Sequence, residues 1–143
     1  VLDYIRQAIS DGARLVTGGT DMPAGLTTGN YVLPTVFADV TNDMIIAQEE
    51  VFGPVLVMIK YSTVDEAIAI ANDTPYGLAS AVWAGDKDKA TAIARRIKAG
   101  QCAINGGEPN HEAPFGGYKE SGNGREFGEE GLHEYCELKA MQY

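Results

Sequence analysis

Hydrophobic and polar positions alternate along the chain with two different periods, and the periods divide it into elements. Leu2, Ile5 and Ile9 recur at helical spacing, and Gly12 stands where a glycine in the left-handed region ends a helix. Arg14 to Thr17 reads as a short strand closed by Gly18-Gly19, and Asp21 to Asn30 as a polar loop. Pro34 introduces a second strand, Thr35 to Val40. Val55-Leu56-Val57-Met58-Ile59 is a continuous apolar run, the pattern of a strand covered on both faces. Thr63-Val64-Asp65-Glu66 reads as a capping box, opening a helix through Asn72. Leu78 to Ala84 is the next strand. Asp86 can cap a further helix, whose positions Ala90, Ile93, Ala94 and Ile97 form one apolar face before Gly100. Cys102-Ala103-Ile104 follows as a strand, and Tyr135 to Tyr143 reads as an exposed terminal strand.

Strand, helix, strand, helix, strand with short connections predicts an α/β domain with two right-handed crossovers and a parallel sheet. The glycine-rich segment Pro114 to Gly131 follows the last of these strands, so it is expected near the carboxyl ends of the strands, where such sheets place ligands.

Composition narrows the class. At 45% hydrophobic and 22% charged, the 143 residues suit one globular core. A net charge of −9 repels a phosphate backbone, and from Gly106 onward eight acids face three bases, so nucleic acid is not an expected partner. No run approaches the roughly 20 apolar residues of a membrane span, so no membrane partner is expected either. Two cysteines without zinc spacing argue against a disulfide or metal scaffold and for a reducing, cytoplasmic setting. The chain opens at Val1 inside a helical pattern, as a piece of a longer protein would.

The candidate chemistry is concentrated in two segments. In Glu49-Glu50-Val51-Phe52-Gly53-Pro54, a carboxylate could accept both hydroxyls of a ribose and the aromatic could pack on a flat ring; a solvated acidic pair is the plainer reading. Gly116-Gly117-Tyr118-Lys119-Glu120-Ser121-Gly122-Asn123-Gly124 is not a phosphate loop, because Asn123-Gly124 stand where Lys-Ser/Thr is required. Nor is it a dinucleotide fingerprint, since Phe127 stands where a third glycine is needed. By residue type it is a tight loop beside a helix start at Arg125-Glu126. Cys102 lies in an apolar strand pattern with no base nearby, and Cys136 among acids, a poor setting for a thiolate. His111, His133 and Ser121 have no visible catalytic partner.

Taken together, these segments resemble the aldehyde dehydrogenase family. The resemblance rests on Glu49 to Pro54 and on Ala113-Pro114-Phe115-Gly116-Gly117-Tyr118-Lys119-Glu120-Ser121-Gly122-Asn123-Gly124-Arg125-Glu126. Leu33-Pro34-Thr35-Val36-Phe37, Ala71-Asn72, Tyr76-Gly77-Leu78 and Gly131-Leu132 support it, in family order across nearly the whole chain. It implies an incomplete three-layer, parallel-sheet α/β catalytic domain over residues 1–134, an oligomerisation strand over 135–143, and no nucleotide-binding domain. It implies oxidation of an aldehyde to a carboxylic acid with NAD or NADP: a cysteine attacks the aldehyde, hydride passes to the nicotinamide, and a glutamate-activated water hydrolyses the thioester. By resemblance, Glu50 holds the hydroxyls of the nicotinamide ribose and Phe52 lies beside the nicotinamide. Glu126 is the glutamate of a proton-relay pair. The backbone carbonyls of Lys119 and Gly122 match a monovalent cation (K+) site of betaine-aldehyde-type members. A homo-oligomer, dimer or tetramer, is implied as well. The family nucleophile sits in a Gly-Gln-x-Cys setting. Gly100-Gln101-Cys102 lacks the intervening residue and stands in the wrong place, so the chain alone is expected to be inactive. A standalone non-catalytic module that kept the fold is the alternative.

Overall fold

A computed structural model describes all 143 residues, as two compact units, Val1–Thr63 and Val64–Tyr143. In the first, helix α1 (Leu2–Ser10) turns Ile5 and Ala8 fully inward, while Ile9 at the stripe's margin is 46% exposed. Gly12 follows with φ 95°, the left-handed value that ends the helix. Strand β1 (Arg14–Thr17) runs antiparallel to β2 (Thr35–Ala38), and β2 runs parallel to β3 (Val55–Val57). Ile5, Ala8, Ala13, Phe37, Val40 and Ile46 close into one buried cluster. Thr35 is buried with them, accepting the Gly19 N–H at 3.1 Å and donating to the Leu33 carbonyl at 2.8 Å, so its hydroxyl is satisfied inside the core. Gly18, at φ 81°, admits no side chain, since a Cβ would stand 2.4 Å from the Pro34 carbonyl.

Two features of this unit depart from the sequence pattern. The β2–β3 crossover carries a four-residue helix, α2 (Ile45–Gln48), too short to leave a periodic signature. And β3 is not covered on both faces: Leu56 is 58% exposed and Met58 45% exposed. In register with β2, Val55 and Val57 share a face with Thr35 and Phe37, whereas Leu56 joins Val36 on the other. An apolar run therefore reports the chemistry of both faces, but not which face is covered.

In the second unit, α3 (Val64–Asn72) leads to β4 (Ala79–Val82), α4 (Lys87–Ala94) and β5 (Gln101–Ile104), with β4 and β5 parallel. Asp86 caps α4 through the Lys89 N–H at 2.7 Å, as its position predicts. The helix ends at Ala94, six residues before Gly100, leaving Ile97 beyond it. A 3₁₀ turn (Lys119–Ser121) and α5 (Gly128–His133) complete the unit.

The architecture is α/β with parallel pairing in both sheets, but the expected continuous sheet across β3, β4 and β5 does not form. The hydrogen-bonded orders are β1-β2-β3 and, separately, β4-β5. A strand–helix–strand pattern fixes strand direction without fixing adjacency. The glycine-rich segment also lies elsewhere than expected. Tyr118 N–H donates to the Gly77 carbonyl at 2.8 Å, and a Cβ on Gly100 would collide with the Gly116 carbonyl, so the segment packs at the amino ends of β4 and β5. No helix starts at Arg125-Glu126, because Glu126 is held extended in a bridge to Phe115 and Phe127 takes φ 62°, which delays α5 to Gly128. Residues 137–143 form no ladder, and Leu138 is 99% exposed; a strand exists only where inter-strand hydrogen bonds hold it.

Candidate functional site

A cleft in each unit gathers most of the candidate residues. In the first unit, α2 ends at Gln48 and the chain turns extended through Glu49 before entering β3. This turn presents Glu49, Glu50, Val51, Phe52 and Gly53 around a cleft of about 370 Å³, floored by Ile46, Val55 and Val57. The two carboxylates are not equivalent. Tyr4, 45 residues away on α1, donates its hydroxyl to Glu49 at 2.5 Å. Glu50 is exposed and carries no such partner, so its two oxygens are open to donors from outside. Phe52 is 85% exposed, far more than an aromatic in this chain's core, with its ring available as a flat apolar surface. Both acids are exposed, one engaged by Tyr4 and the other free.

The second cleft, about 490 Å³, is lined by Phe115, Ser121, Gly122, Arg125, Glu126 and Tyr135, among others. Glu126 is fixed through its backbone, with Phe115 N–H donating to it and its own N–H returned to Phe115, both at 2.7 Å, while its side chain is exposed to the cleft. Arg125 stacks over the Tyr118 ring at 5.6 Å and donates to the Gly117 and Gly124 carbonyls at 2.9 and 2.8 Å, tying the glycine loop together. Lys119 lies outside the lining. Its backbone carbonyl accepts the Gly122 N–H at 3.2 Å, and its ammonium donates to the Asn72 and Thr74 carbonyls at 2.9 and 2.8 Å, where α3 ends. A cation at a helix carboxyl end is favourably placed. No cluster of three or more His, Cys, Asp or Glu side chains could hold a metal.

The residues set aside in the sequence take structural places. Ser121 accepts the Gly77 N–H at 3.0 Å, His111 meets the Phe127 ring edge-on at 5.8 Å, and Cys102 is half-buried within β5. Both cysteines are free, and no helix is long and apolar enough to cross a membrane. Tyr4, Arg125 and the Lys119 ammonium carry structural consequences that the sequence pattern did not reveal. For Tyr4 no local signal exists, because its partner is 45 residues distant.

Comparisons with known proteins bear on the family and the fold. A family model described as the aldehyde dehydrogenase family matches residues 1–141. A putative aldehyde dehydrogenase of Staphylococcus haemolyticus is 50% identical over 141 residues, 99% of this chain and 30% of that protein. The 3-succinoylsemialdehyde-pyridine dehydrogenase of a Pseudomonas species is 46% identical over the same length, again 30% of the relative. Among solved structures, a mutant of aldehyde dehydrogenase C from Pseudomonas syringae, complexed with NAD+ and octanal, superposes with a TM-score of 0.94 at 51% identity, over 98% of this chain and 29% of that one. A Mycobacterium tuberculosis aldehyde dehydrogenase complexed with NAD+ gives 0.89 at 51% identity, over 94% of this chain and 28% of that one. The chain thus spans about 30% of the length of the relatives it matches. With a match from end to end and a shared fold at half identity, the chain belongs to the aldehyde dehydrogenase family.

Proposed function

We propose that these residues form the nicotinamide-gripping and proton-handling part of an NAD(P)-dependent aldehyde dehydrogenase that oxidises an aldehyde to a carboxylic acid. The observation that carries the reading is the unequal pair at the first cleft, where Tyr4 engages Glu49 and leaves Glu50 open beside an exposed Phe52. In this reading Glu50 accepts the two hydroxyls of the nicotinamide ribose and Phe52 packs against the nicotinamide ring. NAD(P)+, when bound, supplies the hydride acceptor. Glu126, its backbone pinned by Phe115, passes protons in the second cleft. The carbonyls of Lys119 and Gly122 contribute to a monovalent cation site, and residues 135–143 pair between subunits of a homo-oligomer. Two free cysteines support a reducing, cytoplasmic setting. Cys102 lies in an apolar strand with no base nearby and Cys136 among acids that disfavour a thiolate, so the 143 residues by themselves are expected to turn over no aldehyde.

The test is a full-length aldehyde dehydrogenase carrying this segment, compared with its Glu50→Gln variant. Loss of a charged acceptor of two hydroxyls should weaken NAD+ binding by roughly tenfold or more. Unchanged cofactor affinity and turnover would remove Glu50 from the site.

A further inference from the structure

The chain contains Asn-Gly twice, at Asn105-Gly106 and at Asn123-Gly124. This dipeptide can modify itself. The backbone nitrogen of the glycine attacks the asparagine side-chain carbonyl, the amide leaves as ammonia, and a five-membered succinimide forms. Water then opens the ring at either carbonyl to give aspartate or isoaspartate. No oxidant, metal or enzyme is needed. Glycine favours the reaction because it lacks a Cβ to hinder the approach. What decides whether it occurs in a fold is the freedom of the asparagine side chain to turn toward the next nitrogen.

The two sites differ sharply in that freedom. Asn105 follows β5, and both ends of its amide are held by one residue. Its oxygen accepts the Ala84 N–H at 2.8 Å and its nitrogen donates to the Ala84 carbonyl at 2.9 Å, extending the β4–β5 pairing by a side chain. Gly106 is further confined, with the Trp83 ring where a Cβ would stand 2.8 Å away. Asn123 lies between the 3₁₀ turn and Arg125. It is exposed, and only its backbone carbonyl is engaged, by Arg125 at 3.2 Å. Its side-chain amide has no hydrogen-bond partner. Gly124 is exposed, its N–H enters no backbone hydrogen bond, and open space surrounds the position of its missing Cβ.

We infer that Asn123-Gly124 is a site of spontaneous deamidation in the folded protein, while Asn105-Gly106 is protected by its clamp to Ala84. The product would place a new carboxylate, and in the isoaspartyl form an extra backbone methylene, two residues before Arg125. Deamidation would therefore act as a slow chemical clock on the loop that Arg125 ties together.

The experiment is time-resolved peptide mapping of the purified 143-residue chain held at mildly alkaline pH, folded and in denaturant. Conversion of an amide to an acid raises the mass by one unit, and chromatography separates aspartyl from isoaspartyl products. In the folded chain Asn123 should convert faster than Asn105 by roughly thirtyfold, the effect of two ordinary hydrogen bonds on an equilibrium. In denaturant, where both are free Asn-Gly pairs, the two rates should converge. Gly124→Ala is the specific control, because its Cβ meets nothing and its φ is not positive; it should suppress modification at Asn123 with the fold intact, as checked by circular dichroism. Equal rates at the two sites in the folded chain would overturn the inference. So would a folded chain in which Asn123 stays intact over times that convert it in denaturant.

Discussion

The two units are held by different forces. Val1–Thr63 holds seven of the ten buried apolar residues, and six of them, Ile5, Ala8, Ala13, Phe37, Val40 and Ile46, close into one cluster. In Val64–Tyr143 the buried apolar side chains are only those of Ile68, Val82 and Ala90, and much of the cohesion is polar. There the Asn72 side chain donates to the Arg96 carbonyl at 2.9 Å and accepts the Lys98 N–H at 2.7 Å, Lys119 grips carbonyls more than forty residues away, and Arg125 grips those of its own glycine loop. Apolar burial is non-directional and tolerant, whereas a network of side-chain hydrogen bonds fixes loop positions closely. The difference suits the clefts. The Glu50 cleft stands on an apolar floor, while the Glu126 cleft is a loop whose shape depends on individual hydrogen bonds.

The largest effect should follow removal of the central apolar residue. Phe37→Ala deletes a fully buried ring and should cost about 3–5 kcal/mol, a large share of a small unit's stability. Urea denaturation would show a much lower midpoint; a loss below about 1 kcal/mol would mean the cluster repacks freely. In the second unit, Asn72→Ala strips two hydrogen bonds in one step and should cost about 1–2 kcal/mol. The loss should appear as faster amide exchange around Arg96–Lys98 rather than as global unfolding, and uniform exchange across both units would contradict the contrast.

A smaller, charge-based effect belongs to the first unit. The Lys60 ammonium, at 2.5 Å, and the Arg14 guanidinium, at 2.7 Å, hold the Asp39 carboxyl below the ordinary carboxylate range. A pKa depressed by folding contributes stability that is complete above the unfolded value and is lost as pH falls through the folded one. The stability of the wild-type chain should therefore decline below about pH 4 more steeply than that of Asp39→Asn. Because the pairs are exposed, salt should narrow the gap, and parallel pH profiles would show that the bridge contributes nothing.

Much of this fold could be read from local signals. The β2 start at Thr35, the Asp86 cap and the β5 strand all rest on chemistry within a few residues of themselves. What could not be read were relations between distant segments. Nothing local reveals that β3 pairs with β2 and not with β4, that Leu56 faces outward, or that the glycine loop returns to the amino ends of β4 and β5. The same holds at the clefts. The family resemblance singles out Glu50, Phe52 and Glu126, whereas residue types alone do not; what only the fold adds is that Tyr4 engages Glu49 and leaves Glu50 open. Residues 135–143 have strand-like composition, yet no ladder forms there, because composition does not supply the neighbouring backbone that a strand requires.

That distinction between adjacent glutamates gives the most direct test of the functional reading. In a full-length aldehyde dehydrogenase carrying this segment, NAD+ affinity should be measured for Glu49→Gln and Glu50→Gln side by side by titration calorimetry. Glu50→Gln should weaken binding by roughly tenfold or more, while Glu49→Gln, whose amide oxygen can still accept the Tyr4 hydroxyl, should stay within about threefold of wild type. Equal losses from the two variants, or a larger loss from Glu49→Gln, would contradict it.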